Sequence, residues 1–175
     1  MKKIKIIIDI LMFVVTVLLM EIEVIGFLSH EILGMLLGIL ILIHIVLNFK
    51  WIKQVTKNFK STNTKTKIMY AIDIFTMVIY FGAIICGMLI SHEIFNSSLR
   101  TNVYMMLAHI TFGRLAVIIM FIHLGMHLDR MLAKIKSKSI KRTIYILYII
   151  ISLSVAIYSI YALTNSFQWI YVFGM

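Results

Sequence analysis

The sequence predicts an all-α integral membrane protein of five transmembrane helices. Two bulk properties carry that expectation: 62% of the 175 residues are hydrophobic with no proline among them, and the mean hydropathy is +1.02. The third is organisation, because the apolar residues fall into five long runs and the basic residues fall into the gaps between them. A helix needs about 20 apolar residues to cross a hydrocarbon layer of about 30 Å.

The first run, about 5–24, follows the basic "MKKIK" and lacks a small-residue cleavage site, so it is expected to stay as a span. The second covers about 29–50 and is joined to the first by the short "EIEVIGFLSHE". The third, about 68–91, begins after the polar break "KWIKQVTKNFKSTNTKTK". The fourth, about 104–128, ends at "DRMLAKIKSKSIKR", and the fifth covers about 143–165. One transmembrane domain over 1–165, with a short tail at 166–175, is therefore expected.

Charge sets the direction. Fifteen of the 17 Lys and Arg residues lie before the first run, after the second or after the fourth; only Arg100 and Arg114 do not. The positive-inside rule then places the N-terminus inside and the C-terminus outside, so the second and fourth spans run parallel. Basic blocks between spans read as topology signals in a lipid bilayer and argue against nucleic acid as a partner. Cys86 is the single cysteine, which excludes an internal disulfide, a Cys-X-X-Cys-His haem attachment site and a cysteine-ligated iron–sulfur cluster.

The chain carries a weak internal duplication. "IIIDILMFVV" resembles "YAIDIFTMVIY", and "HEILGMLLGILILIHIVLN" resembles "HITFGRLAVIIMFIHLGMH". His30 and His44 are thus repeated by His109 and His123, each pair fourteen residues apart. Fourteen residues return to within about 40° of the same helix face and rise about 21 Å. On parallel spans, His30 and His109 share one depth and His44 and His123 another. Facing imidazoles at one depth suit the two axial positions of a haem iron, so two b-type haems stacked across the bilayer are expected. Gly34 and Gly113 each follow the outer histidine by four residues and would leave room for a porphyrin ring. Close helix packing is the alternative use of such glycines, and for Gly38 the two uses are not separable.

Other polar residues have open roles. His127 lies one turn beyond His123 and is assigned to a haem propionate, a quinone or the inner surface, against an interfacial position near Asp129 and Arg130. His92 is expected in an exposed outer loop. Arg114 needs an anion, either a propionate of the outer haem or Glu21 or Glu23, and Arg100 is a weaker propionate candidate. Asp9 and Asp73 are expected to pair with nearby lysines. The methionines read as packing, and Tyr145, Tyr148, Tyr158, Tyr161 and Trp169 as interface anchors and helix contacts.

Histidine pairs of this spacing on two parallel helices look like the dihaem core of respiratory cytochrome b. More closely, "HEILG…LIHIVLNFKWI" with "AHITFG…FIHLGMHLDRML" resembles the flavinylation-associated cytochromes, small bacterial membrane proteins, over the first four spans. The resemblance implies a dihaem conduit that passes electrons across the membrane to partners carrying covalent flavin. The expected function is electron transfer through two haem b groups in a bacterial cytoplasmic membrane. The donor is a quinol (menaquinone is one candidate) or a dehydrogenase, and the acceptor an extracytoplasmic flavoprotein or cytochrome. The chain is expected to act as an electron-transfer subunit rather than a stand-alone enzyme. The alternatives are a histidine-lined metal-ion transporter and a cofactor-free accessory subunit.

Overall fold

A lipid environment offers no partner to a backbone N–H, so an apolar run there must satisfy its hydrogen bonds internally, as helix. The computed structural model describes residues 2–173, with the side chains of 2, 130, 134 and 166–173 outside the description. Its regular elements are all helical: α1 (Lys2–Leu18), α2 (Ile22–Ile25), α3 (Phe27–Lys57), α4 (Thr64–Leu89), α5 (Val103–Met131) and α6 (Lys138–Phe173), with two 3₁₀ turns at Phe59–Ser61 and Leu132–Lys134. The interface role expected of Trp169 falls outside the described side chains. The helix α6 itself runs to Phe173, through most of the segment expected as a tail.

Among the described residues, four helices are long and apolar enough to cross a membrane, namely α3, α4, α5 and α6. This is the pattern of a multi-pass membrane protein, and it differs from the five full spans expected. The difference lies in the first run. α1 has 17 residues and ends at Leu18, short of the expected boundary at 24; at 1.5 Å per residue it is about 25 Å long. Glu21 and Glu23 interrupt the apolar run there, and Gly26 turns the chain into α3 at φ +77°, a conformation open to glycine and strained for other residues. Together α1, the turn and α2 carry the chain from one end of the bundle to the other.

Local signals set the other boundaries. Asn63 caps α4 by accepting the Thr66 N–H at 2.9 Å, and Asn102 caps α5 by accepting the Met105 N–H at 3.0 Å. α3 packs on α1 and α4, while α5 packs on α4 and α6. The shared core lies at mid-depth: Val15 of α1, Leu37, Leu40 and Ile41 of α3, Ile79 and Tyr80 of α4, and Ala116 and Ile119 of α5 are all buried in one cluster. Apolar side chains also cover the outside, as along Ile146, Ile150, Leu153, Ile157 and Ile160 of α6, all exposed. A soluble protein would not leave such a face to water.

The basic segments gather at one end. Lys5 of α1 donates to the side-chain oxygen of Asn48 near the end of α3 at 2.8 Å, which brings the N-terminal lysines beside the block that begins at Lys50. The loop after α5 belongs to the same end, since α3 and α5 run parallel. At the far end, the carboxylate of Glu31 accepts the Ser91 hydroxyl at 2.7 Å and the backbone N–H groups of His92, Glu93 and Ile94 at 2.7, 3.2 and 2.9 Å. One side chain on α3 therefore fixes the start of the α4–α5 loop.

Replacing Glu31 by Ala is expected to destabilise the protein by about 1.5 kcal/mol, the low end for charged hydrogen bonds because the loop is exposed. Limited proteolysis should show faster cutting within 91–102, with the helices still protected.

Candidate functional site

The histidines occupy two layers separated by the apolar core. In the far layer, His30 of α3 and His109 of α5 meet with ring centroids 5.9 Å apart and planes at 81°. Both face a cavity of about 450 Å³ that Tyr80, Gly34, Gly113 and Arg114 also line. The parallel course of α3 and α5 brings together residues 79 positions apart in the sequence.

His109 is held by α4. Its Nδ1 lies 2.8 Å from the Ala83 carbonyl oxygen. A carbonyl only accepts, so Nδ1 carries the proton and Nε2 keeps its lone pair. One turn further along α4, Gly87 gives the ring its place: a Cβ there would lie 2.9 Å from His109 Cε1. His30 Nδ1 is buried without a hydrogen-bond partner. Gly34 and Gly113 face open space, with nothing within 4 Å of an added Cβ. Gly38 differs, since its Cβ would make ordinary contact with Ile84 at 3.6 Å, which makes it a packing position.

Arg114 forms none of the described ion pairs. Its guanidinium lies over the Tyr158 ring at 5.5 Å, and the Tyr158 hydroxyl donates to Glu21 at 3.4 Å. Of the anions considered for Arg114, Glu21 is reached only through Tyr158, and Arg114 Nη1 is left buried without a partner. Arg100 also lines the cavity and donates to Asn96 at 2.9 Å. His92 is exposed in the loop at the cavity rim.

At the basic end, each histidine is clasped by an aspartate. His44 Nδ1 lies 2.8 Å from Asp9 Oδ1, joining α3 to α1, and His123 Nδ1 lies 2.9 Å from Asp73 Oδ1, joining α5 to α4. These contacts correct the expectation that Asp9 and Asp73 pair with lysines. The reason is placement, since each carboxylate faces an imidazole on the neighbouring helix. Asp73 is also partly buried, where a lysine ammonium would have to be desolvated to follow, whereas Asp9 is half-exposed and held by position alone. Asn48 lies with Nδ2 3.3 Å from His44 Nε2. His127, its counterpart in the duplication, has Nε2 3.5 Å from Asp73 Oδ1, and its ring centroid is 4.7 Å from that of His123. Tyr145 binds Asp129, and Tyr148 binds the Phe121 carbonyl, so both act as helix contacts.

Sequence reasoning missed Asp9, Asp73, Glu31 and Gly87 as parts of this arrangement. The first two had a signal, because the duplication that aligns His44 with His123 also aligns Asp9 with Asp73. Glu31 and Gly87 had none, since their partners come from other helices. No protein-family model, curated protein or solved structure matches the chain, so the motif resemblance gives it no family assignment.

Gly87→Ala is expected to displace the His109 ring and to cost about 1–3 kcal/mol, as overpacking does. Gly34→Ala and Gly113→Ala meet no neighbour and should raise the stability of the ligand-free chain by up to about 1 kcal/mol through helix propensity. Thermal unfolding in detergent distinguishes the two classes.

Proposed function

We propose that the protein carries electrons across a bacterial cytoplasmic membrane through two b-type haems, one in each histidine layer. The observation that carries this reading is the meeting of His30 and His109 in a cavity with open space at both Gly34 and Gly113. The residues present fit the group. Metal–imidazole bonds are about 2.0–2.1 Å, so two rings serving one metal must approach as closely as these do. His30 Nδ1 is an orphaned buried nitrogen, and Arg114 Nη1 is an orphaned buried donor suited to a propionate.

A bound haem supplies a one-electron couple whose potential depends on its ligands and the charges around it. The chain does the rest. His30 and His109 hold the far-end group, and His44 and His123 the one at the basic end. Asp9, Asp73 and the Ala83 carbonyl accept from Nδ1 of three of these rings, fixing their orientation and turning Nε2 towards a metal, which at His44 would have to displace the Asn48 amide 3.3 Å from that nitrogen. A carboxylate partner also makes an imidazole a stronger donor, so the basic-end group would have the lower potential on this ground. The mid-depth apolar core keeps water from the space between the layers.

In this reading the basic end faces the cytoplasm and the C-terminal end of α6 lies outside, with α1 reaching into the bilayer beside α3. Electrons enter at the basic end from a quinol or a dehydrogenase and leave at the far end to a flavin- or haem-carrying protein. His127 lies where it could meet a quinone or a propionate at the basic end.

Pyridine haemochrome analysis of protein from haem-replete cells should give close to two b-type haems per chain. A folded, colourless protein overturns the reading. His30→Ala and His109→Ala should remove the same haem, and His44→Ala and His123→Ala the other. Gly34→Ala and Gly113→Ala, harmless without haem, should reduce occupancy of the far layer.

Removing the Arg114 charge gives a separate expectation. A positive charge favours the reduced, less positive haem, so Arg114→Gln should lower the far-end midpoint potential and leave the other nearly unchanged. An unaltered far-end potential in a redox titration would assign Arg114 to the Tyr158 contact alone.

A further inference from the structure

His127 is not required for the proposed haem ligation, yet it is built into a cluster. Asp73 of α4 and His123 and His127 of α5 bring three ligand atoms within 4.8 Å of one another. Histidines at i and i+4 project from one helix face, a spacing that lets both bind a single ion, and the facing helix adds a carboxylate. The nitrogens lie 2.9 and 3.5 Å from Asp73 Oδ1. In a tetrahedral site with metal–ligand bonds of about 2.0–2.1 Å, ligand atoms are about 3.3 Å apart, so the two nitrogens, within 4.8 Å of each other, need to close by at most about 1.5 Å. The side chains are 22–29% exposed, open enough for an ion and a fourth ligand from water.

We propose that Asp73, His123 and His127 form a divalent transition-metal site at the basic end of the bundle. Two imidazoles and a carboxylate suit Zn²⁺ or Co²⁺ and offer too few oxygens for Ca²⁺ or Mg²⁺. Binding replaces the contacts that the imidazoles now make to Asp73. Each neutral imidazole binds the ion through one lone pair and keeps one ring proton, so a ring whose N–H now points at Asp73 moves that proton to its other nitrogen as the ion enters, with no net change in protons. The ion site stands independently of the haem reading. Its rivalry with haem rests on that reading, because an imidazole bound to Asp73's ion is drawn away from the position that would serve the iron. The basic-end layer then holds haem or a metal ion, but not both.

The test uses full-length protein in detergent, titrated with Zn²⁺ by calorimetry and with Co²⁺ by its absorption bands. His44→Ala leaves the three ligands in place while removing a proposed ligand of the basic-end haem. That variant should bind one Zn²⁺ per chain. Adding His127→Ala should weaken binding at least about tenfold. Wild-type protein from haem-starved cells, with and without His127→Ala, repeats the comparison should His44→Ala fold poorly. Absence of stoichiometric binding, or equal binding with and without His127, overturns the site. Haem content of wild-type protein from haem-replete cells keeps the two readings apart: if that protein is folded and colourless while Zn²⁺ binds through His127, the ion site stands and the haems are refuted. In haem-loaded wild type, Zn²⁺ should bind more weakly than in haem-starved protein, and equal affinity would overturn the rivalry.

Discussion

An imidazole set in an apolar bundle presents two ring nitrogens to surroundings poor in hydrogen-bond partners. Each nitrogen must find a partner in the protein or stand ready for a ligand, and the helices are arranged around that demand. Asp9 answers it for His44, and in doing so ties α1 to α3. Asp73 answers it for His123 and ties α4 to α5. At the far end a backbone carbonyl of α4 serves His109, and a glycine one turn on lets the ring come close enough to use it. These contacts add direction to the packing of similar aliphatic surfaces, which is weakly directional in lipid, and between α1 and α3 they act beside the Lys5–Asn48 hydrogen bond.

The duplication gains a structural meaning from these clasps. In each half, an aspartate on the first helix holds the inner histidine on the following long helix, and a polar residue one turn beyond that histidine joins the same group. The halves diverge at that last position. Asn48 links His44 to Lys5, whereas His127 turns to Asp73 and completes a ligand cluster. They diverge again at the far end, where Glu31 anchors the loop of the second half and Arg114 reaches Tyr158 of α6. The likeness of the two hairpins thus fails at both ends, and the ends have different chemistry.

Between the layers, the buried cluster around Leu37, Leu40, Tyr80, Ala116 and Ile119 supplies a dry interval. The Thr16 hydroxyl and the Tyr80 phenol, the polar groups that face one another across α1 and α4, are paired at 3.2 Å. The histidine layers are consequently separate environments. The far one is lined by α1, α3, α4, α5 and a loop pinned by Glu31, and the other lies partly exposed near the basic end. A ligand in one layer would feel the charges and exposure of that layer.

The linear sequence determined that the chain is helical and apolar on its outside, because run length and composition govern both, and charge blocks mark the ends of the runs. It determined that His30 and His109 share a depth, since equal spacing on parallel helices is enough for that. It overestimated the first span, where the hydropathy of 5–24 outlasts α1: Glu21 and Glu23 allow the chain to turn at Leu19 and Met20, and Gly26 redirects it. Which partner each polar side chain takes was decided only by tertiary structure. Asp9 lies far from His44 along the chain but beside it across α1 and α3, and Gly87 has no meaning until His109 lies against it. Periodicity records the face on which a residue sits, whereas hydrogen-bond partners depend on the rotation of neighbouring helices, which no single helix encodes.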